Sequence, residues 1–575
     1  MAKKNCNNAN DSKSSRNHNT RGRKRNYSSN KPNSKSGYDK RAAEEAATSQ
    51  DYAKEQAVSN DPAWYASDPS LARDSASIPF SWAAGTISNL RESAPVYTDL
   101  NEYQFITPGL CTIWLRSSVG ASDAPTSPIN IAATAMYSFV RHANSGSANY
   151  NSPDLMLYVI GMAEIIAFSN FLIRAYGVAS LYSTRNRYLP DALLQSMNID
   201  PDDVRANYAQ FRYGINLAMN KISSLAVPST LSYFKRKAML YSGVYIEGSS
   251  PKDQMYMYAP FALYQLGADA DGATAAYLKQ FRNPTKLYTV AELLQFLNDL
   301  IDPIIMSEDF NIMSGDILKA YGLSGILKFA RVDENYVAPL GFDIGVLEQM
   351  KNAYILTGLE HIGPETGSIV QNNSSGVNAK GWLVSKEQIT LPTISPTTGA
   401  GARAEYAGII SGAKKRILVT TTKDVDPGLV LESTRLMPGA AYIPPTSGSD
   451  PGSIVIYGAT ELPTSFVITS MEQESGVPTL EFRSNATAIV SVGGVSAANH
   501  SNIETLAMLA AFNFAPNVEF DFVSTTTGES VSIDETFRFY RFDNYAILTT
   551  EDLQRMHEAC LLNMMRVPSI GSVFS

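Results

Sequence analysis

Between about residues 130 and 360, apolar side chains recur every three or four positions, the period of helices buried along one side. In "NIDPDDVRANYAQFRYGINLAMNKISSLAVP", Asp200 offers an N-cap, Pro201 fits the first helical position, and Asp202 and Asp203 suit the positive end of a helix dipole. Val204, Tyr208, Phe211, Ile215, Met219, Ile222 and Leu225 then form one stripe, which predicts a single helix stopped by Pro228. "TVAELLQFLNDLI" opens with Thr289 and Glu292 at capping-box spacing and puts Leu293, Phe296, Leu297 and Leu300 on one face. The run Leu155–Ile173 is apolar all round and approaches the length of a membrane span. Glu164 at its centre would be costly in lipid, so a helix inside the helical layer is expected.

From about residue 365 the pattern changes. "GPETGSIVQNNSSG" and "PTISPTTGAGA" are loop chemistry, and short β-branched runs follow at Arg416–Thr421, Ser453–Tyr457, Ser465–Thr469, Thr479–Arg483 and Ala488–Val492. Such runs with Gly and Pro between them predict a small sandwich or barrel. A helix returns at "SNIETLAMLAAFNF", with Ser501 and Glu504 at capping-box spacing. A hairpin is expected from Val518 to about Ile533, then a helix from Thr549 that turns Leu553, Met556, Cys560 and Leu561 inward. The organisation read from these patterns is α+β: a basic arm and linker over 1–61, a helical domain over 62–365, a β-rich insertion over about 366–500, and a return to the first domain over 501–575.

Charge separates the arm from everything else. The 575-residue chain has a net charge of −8. Residues 1–41 carry twelve basic side chains, Lys3, Lys4, Lys13, Arg16, Arg21, Arg23, Lys24, Arg25, Lys31, Lys35, Lys40 and Arg41, against Asp11 and Asp39, a net of +10. The remainder therefore carries −18. Almost devoid of apolar side chains, the arm cannot offset the entropy of ordering, and disorder is expected. A flexible cationic arm binds polyanions by counterion release without reading sequence, with a salt slope of about −0.7 to −0.9 per phosphate contact. "RGRKR" also suits a nuclear localisation signal, and a solvated tail has the same composition.

Candidate chemistry changes little. No G-x-S-x-G elbow or P-loop is present, and "GAGARA" (Gly399–Ala404) lies among Thr and Pro rather than between a strand and a helix. Among His18, His142, His361, His500 and His557, no two have metal-ligand spacing. His557 and Cys560, three apart on one helix, read as packing. Cys6, Cys111 and Cys560 imply no disulfide framework and fit a reducing compartment. The N-terminus has no apolar segment of a signal peptide. No catalytic group, metal or cofactor is expected, and the acidic body has no basic stripe for nucleic acid. A cationic arm on a Tyr-rich acidic body is the layout of a shell protein: the arm meets a genome and the body meets copies of itself. A cellular or nuclear RNA-associated scaffold, with the arm as targeting signal, is the alternative.

Several stretches bear on this choice: "RAYG" (Arg174–Gly177), "NRYLPDALL" (Asn186–Leu194), "FRYGIN" (Phe211–Asn216), "VP" (Val227–Pro228), "FKRKAMLYSGVY" (Phe234–Tyr245) and "KDQMYMYAPFALYQ" (Lys252–Gln265). Together with the basic leader and the late strand-rich insertion, they resemble the capsid proteins of picobirnaviruses. The resemblance implies a mainly α-helical shell domain with an inserted β-rich protruding domain, preceded by the disordered basic arm. It implies a self-assembling coat of a small non-enveloped double-stranded RNA virus, found in the virion and, during assembly, in host cytoplasm. Two chains would pair, sixty dimers would close an icosahedral shell, and the arm would face inward onto RNA. Some relatives shed an N-terminal peptide by self-cleavage; Asn60–Asp68 is the corresponding place to look. Partitivirus coats are the nearest competitor within the same class. Asn186, Asn216 and Gln254 are expected to be capping or buried hydrogen-bonding residues. Tyr256 and Tyr258 flank an expected loop and are candidate interface aromatics.

Overall fold

The computed structural model describes residues 109–146, 149–181, 189–248, 253–356, 358–363, 366–372, 381–390, 415–422, 424–444, 452–469, 479–482, 486–491, 512–524, 532–539 and 544–568, with residues 70, 73 and 509. The chain divides into two units after Ser81, and the second, Trp82–Ser575, carries the sheets and the core. The arm, the capping box at Ser501 and the "GAGARA" stretch lie outside the described residues.

Strand β1 (Leu110–Ser117) is followed by helices α1 (Pro128–Ala143), α2 (Ser152–Ala179), α3 (Leu189–Ser196), α4 (Pro201–Ala206), α5 (Tyr208–Ile222) and α6 (Ser232–Leu240). Then come β2 (Val244–Ile246), β3 (Met255–Ala268), β4 (Thr274–Gln280), α7 (Val290–Ile305), α8 (Glu308–Tyr321), β5 (Leu340–Gly341) and α9 (Ile344–Lys351). The later half holds β6 (Ile369–Asn372), β7 (Trp382–Ser385), β8 (Gln388–Thr390), β9 (Lys415–Thr420), α10 (Pro427–Ser433), β10 (Gly439–Ile443), β11 (Ser453–Gly458), β12 (Glu461–Thr469) and β13 (Thr479–Phe482). The last elements are β14 (Ala486–Ser491), β15 (Val518–Ser524), β16 (Ser532–Phe539), β17 (Asn544–Thr549) and α11 (Thr550–Met564). This is the α+β class read from the sequence, with more sheet in the first half than its periodicity suggests.

The organising element is a nine-stranded sheet in the order β13-β12-β1-β3-β4-β6-β7, with β2 pairing to β3 and β5. β1 runs parallel to β3, with Trp114 opposite Ala259, and antiparallel to β12, with Trp114 opposite Ser465. Every residue of β1 and β12 is buried, as are the first ten of β3. A strand covered on both faces shows no polar alternation, which is why "MYMYAPFALYQ" gives no strand signal and Tyr256 and Tyr258 are expected to flank a loop. That expectation is corrected: the stretch forms β3, and Tyr256 and Tyr258 are core residues rather than interface aromatics. Pro260 within β3 has no N–H to donate, and the ladder with β1 slips beside it, between Leu115 and Arg116.

Helix α2 packs on β3 and β4 and against α1, α6 and α7. It is apolar enough to cross a membrane, yet 89% of its most apolar 18-residue window is buried inside the protein. The expected single helix after Asp200 is two. Asp200 caps the first as predicted, accepting from Asp202 N at 2.9 Å. The break falls at Asn207, whose amide donates to Asp203 Oδ1, while Asp203 Oδ2 accepts from Val290 N at 2.6 Å at the start of α7. The capping box of α7 is present, Thr289 N donating to Glu292 Oε2 and Glu292 N to Thr289 Oγ1.

The five late β-branched runs are all strands, but not of one sandwich or barrel. β12 and β13 join the large sheet, β11 lies between β10 and β8, β9 pairs with β17, and β14 pairs with β15, which forms the expected hairpin with β16. Strand-forming runs carry no record of their partners, so period alone could not distribute them among four sheets.

Candidate functional site

Nothing in the described body gathers catalytic groups; what it gathers is buried charge, and it does so where α2 and α6 cross the strand ends. Glu164, the carboxylate inside the apolar run, accepts from Ser117 Oγ at 2.6 Å. Lys237 of α6 places Nζ 3.1 Å from Glu164 Oε1, 4.0 Å from Glu461 Oε1 and donates to Ser117 Oγ at 3.0 Å. Arg236 pairs with Glu461 Oε2 at 3.2 Å, and Thr460 Oγ1 donates to the same oxygen at 2.7 Å. All four charged side chains are sealed or nearly so. Burial alone would raise the Glu461 carboxyl, but the neighbouring Arg236 and Lys237 outweigh it and hold the carboxyl below its ordinary value. For Lys237, burial opposes the charge, and Glu164 with Glu461 more than restores it. The cluster ties α2, α6, β1 and β12, elements far apart in sequence. A second sealed pair, Arg116 with Glu387 at 2.6 Å, fastens β1 to the segment after β7.

Three asparagines do for single residues what a strand partner does. Asn130 accepts from Leu383 N and donates to Leu383 O, Asn216 does the same at Val332, and Asn352 at Val419. Asn216 is thus the hydrogen-bonding residue expected from the sequence, but it is half-buried. Gln254 is buried, and Asn186 lies outside the described residues.

The stretches that carry the family resemblance converge on this interior. In "RAYG", Arg174 is fully buried and donates to Tyr258 O at 2.7 Å and Gly243 O at 3.0 Å, while Tyr176 Oη donates to Glu334 O. Gly177 faces the 336–338 segment so closely that a Cβ there would stand 2.6 Å from Ala338 N and 2.5 Å from the Tyr336 ring. Gly177→Ala is therefore expected to destabilise the protein by about 1–3 kcal/mol, since backbone must move to admit one methyl. An unchanged thermal midpoint would show that α2 shifts freely. "FKRKAMLYSGVY" supplies Arg236 and Lys237, and "KDQMYMYAPFALYQ" is the central strand.

His557 packs as the sequence suggests, and Cys560 is half-buried. The His557 ring is buried, its Nε2–H donating to Met437 O at 2.6 Å, and Gly458 lies so close that a Cβ on it would be 2.5 Å from His557 Cβ. With Leu553 and Leu561 also buried, α11 seats on β10 and β11. Sequence reasoning missed the charge cluster, although Glu164 in an apolar run and "KRK" in an otherwise amphipathic helix were its signals.

Outside, large apolar groups stand free: Met306 and Leu323 are each 79% exposed, Tyr213 68% and Phe342 53%. Tyr213 borders an open cleft of about 500 Å³ with Arg212, Asn216, Leu217, Arg331 and Asp333. Tyr and Arg are the residues that carry most energy in protein–protein contacts. The twelve arm residues named as RNA-binding lie outside the described residues.

Comparison with known proteins gives this interior its context. The family model described as "Picobirnavirus, Capsid protein" matches residues 64–471. The chain is 27% identical over 538 residues to the capsid protein precursor of Human picobirnavirus (strain Human/Thailand/Hy005102/-), covering 90% of this chain and 92% of that one. Its fold matches the X-ray crystallographic structure of the picobirnavirus capsid with a TM-score of 0.68 at 20% identity, over 90% of this chain and all of the other. The chain belongs to the picobirnavirus capsid protein family and is a structural protein of the virion.

Proposed function

We propose that this chain assembles with copies of itself into a closed icosahedral shell and packages double-stranded RNA through its N-terminal arm. The charge division carries the reading: +10 in residues 1–41 against −18 in the rest. An acidic body repels RNA, so attraction has to come from the arm, and Lys3, Lys4, Lys13, Arg16, Arg21, Arg23, Lys24, Arg25, Lys31, Lys35, Lys40 and Arg41 neutralise phosphates without reading bases. The exposed Tyr213, Met306, Leu323 and Phe342 favour burial between subunits. Dimers are the building block, sixty to a shell. The segment 366–500 is the protruding part, rooted in the shell by β6, β7, β12 and β13, and 501–575 returns to it. Self-cleavage of an N-terminal peptide, with the bond unmapped, is to be sought first at Asn60–Asp68.

Electron microscopy and absorbance of the full-length protein, beside a chain beginning at Ala46, test the reading. Uniform particles from both, with RNA in the full-length sample alone, are expected. Equal RNA in both would remove the arm from packaging, and failure of both to close into particles would remove assembly. Arm-mediated binding should also weaken steeply with salt, with a slope approaching about −0.7 to −0.9 per phosphate contact. Intact-mass measurement of the particles reads the processing step directly.

A further inference from the structure

One side of α8 is buried and the other faces solvent. Phe310, Met313, Ser314 and Ile317 pack inward, the helix lies on α1, α2 and α7, and Ser314 Oγ accepts from Ala226 N at 2.8 Å. The opposite side carries Glu308, Ile312, Gly315 and Lys319, spaced four, three and four residues apart, with Asn311 and Leu318 beside them. That spacing sets them in one stripe along the helix. All six are exposed. Ile312 and Leu318 are apolar groups in water, and Glu308 and Lys319 have no ion-pair partner among the described residues.

Gly315 stands at the middle of this stripe. A glycine inside a helix weakens it unless something needs the missing side chain. Gly161, Gly177 and Gly214 show the usual reason, since a Cβ on any of them would stand closer than 3.0 Å to a neighbour. A Cβ on Gly315 would meet nothing within 4 Å, and its backbone is not left-handed. The close approach it permits is therefore open to a second molecule.

The stripe is complementary to itself about Gly315. When a second copy of α8 lies antiparallel with the two Gly315 residues opposed, Ile312 comes level with Leu318 of the second copy, and Asn311 with its Lys319. Glu308 then lies about one turn beyond that lysine, within reach of its ammonium. First-turn acid meets last-turn lysine, and the helix dipoles oppose head to tail. A parallel pairing would set Glu308 on Glu308 and Lys319 on Lys319. Within one chain these two charges are about 16 Å apart along the axis, too far to pair. Met306 and Leu323, each 79% exposed, extend the apolar surface beyond both ends. A surface whose residues meet each other reciprocally is that of a contact across a twofold axis. One face of a 14-residue helix buries less than the roughly 800 Å² per side of a free-standing complex, so the contact closes between copies already gathered in a shell.

We propose that α8 packs antiparallel on α8 of a second copy across a twofold axis, with Gly315 at the crossing and Glu308 paired to Lys319 of the second copy. The contact rests on the reading that the chain forms a shell.

The test is particle formation by the full-length protein carrying Glu308→Lys, Lys319→Glu, both exchanges together, or Gly315→Leu, read by electron microscopy and sedimentation, with thermal unfolding of the unassembled fraction. Each single charge variant is expected to lower particle yield at least about tenfold, and the double exchange to restore it to within about twofold, because a second copy carries the matching change. The double exchange gains nothing inside one chain, where both new charges oppose the helix dipole. Gly315→Leu keeps or raises the thermal midpoint, leucine being the better helix former, and lowers particle yield about tenfold. Single variants that assemble at wild-type yield, or a double exchange that does not recover, overturn the proposal and leave the shell reading in place. A lowered midpoint in Gly315→Leu also overturns it, by placing the need for glycine inside the chain. Wild-type protein that forms no particles removes the shell reading and this contact together.

Discussion

Lys237→Met lowers the stability of the folded body by about 3–5 kcal/mol, the cost of removing one partner from a buried ion cluster. The size follows from what is left. Glu164 keeps Ser117 alone at 2.6 Å, and Glu461 keeps Arg236 at 3.2 Å, both carboxylates having next to no exposure to water. Neither can regain solvent without parting α2 from α6. A carboxylate in that position takes up a proton or the helices separate, and either outcome is unfavourable at neutral pH. The companion variant decides whether charge or packing is responsible. Glu164→Leu combined with Lys237→Met removes the Glu164–Lys237 pair and should recover much of the loss, because apolar groups of similar volume often replace buried ion pairs at little cost. Thermal midpoints of the two variants and the wild type are the measurement. A double variant as unstable as Lys237→Met would locate the effect in lost packing around the lysine stem.

Acid releases the C-terminal helix. His557 is buried, and burial first, then the charge of Arg435, lowers its pKa from 6.5 to about 3. The hydrogen bond to Met437 O and the carboxylate of Glu461 oppose this without reversing it, and Arg236 adds to it. A histidine held below its unfolded pKa contributes stability that is complete above pH 6.5 and is lost as pH falls toward 3, since the unfolded chain then binds a proton the folded one refuses. The loss is about 2 kcal/mol by pH 5 and about 4 kcal/mol near pH 3. Glu461, also held below its ordinary value, adds to the same acid limb at lower pH. His557→Gln keeps a donor toward Met437 and cannot titrate, so the difference between the two urea midpoints from pH 7 to pH 5 isolates the histidine. Equal pH slopes in wild type and His557→Gln would show that α11 is held independently of this ring.

Much of the helical architecture was legible because helices are local. The Asp200 cap, the Thr289–Glu292 box, the inward Leu553 and Leu561, and the buried course of Leu155–Ile173 all follow from spacings within a few turns. The charge of the arm and its separation from an acidic body are likewise properties of composition. The motifs behind the family resemblance were readable as strings, but not their purpose: Gly177 looks like any helical glycine until the 336–338 segment is laid across it.

The large sheet was not legible. β1 and β3 lie well over a hundred residues apart and are covered on both faces, so neither announces itself by alternation, while β12, some two hundred residues later, was readable as a strand but not as the partner of β1. Glu164 was visible only as an odd carboxylate in an apolar run, and neither Lys237 nor Glu461 stood out. Spacing along a chain specifies which side of a helix or strand is apolar, because that depends on backbone geometry alone. Which strand lies beside which, and which buried charge meets its counter-charge, depends on contacts between distant segments, and only the closed tertiary structure decides them.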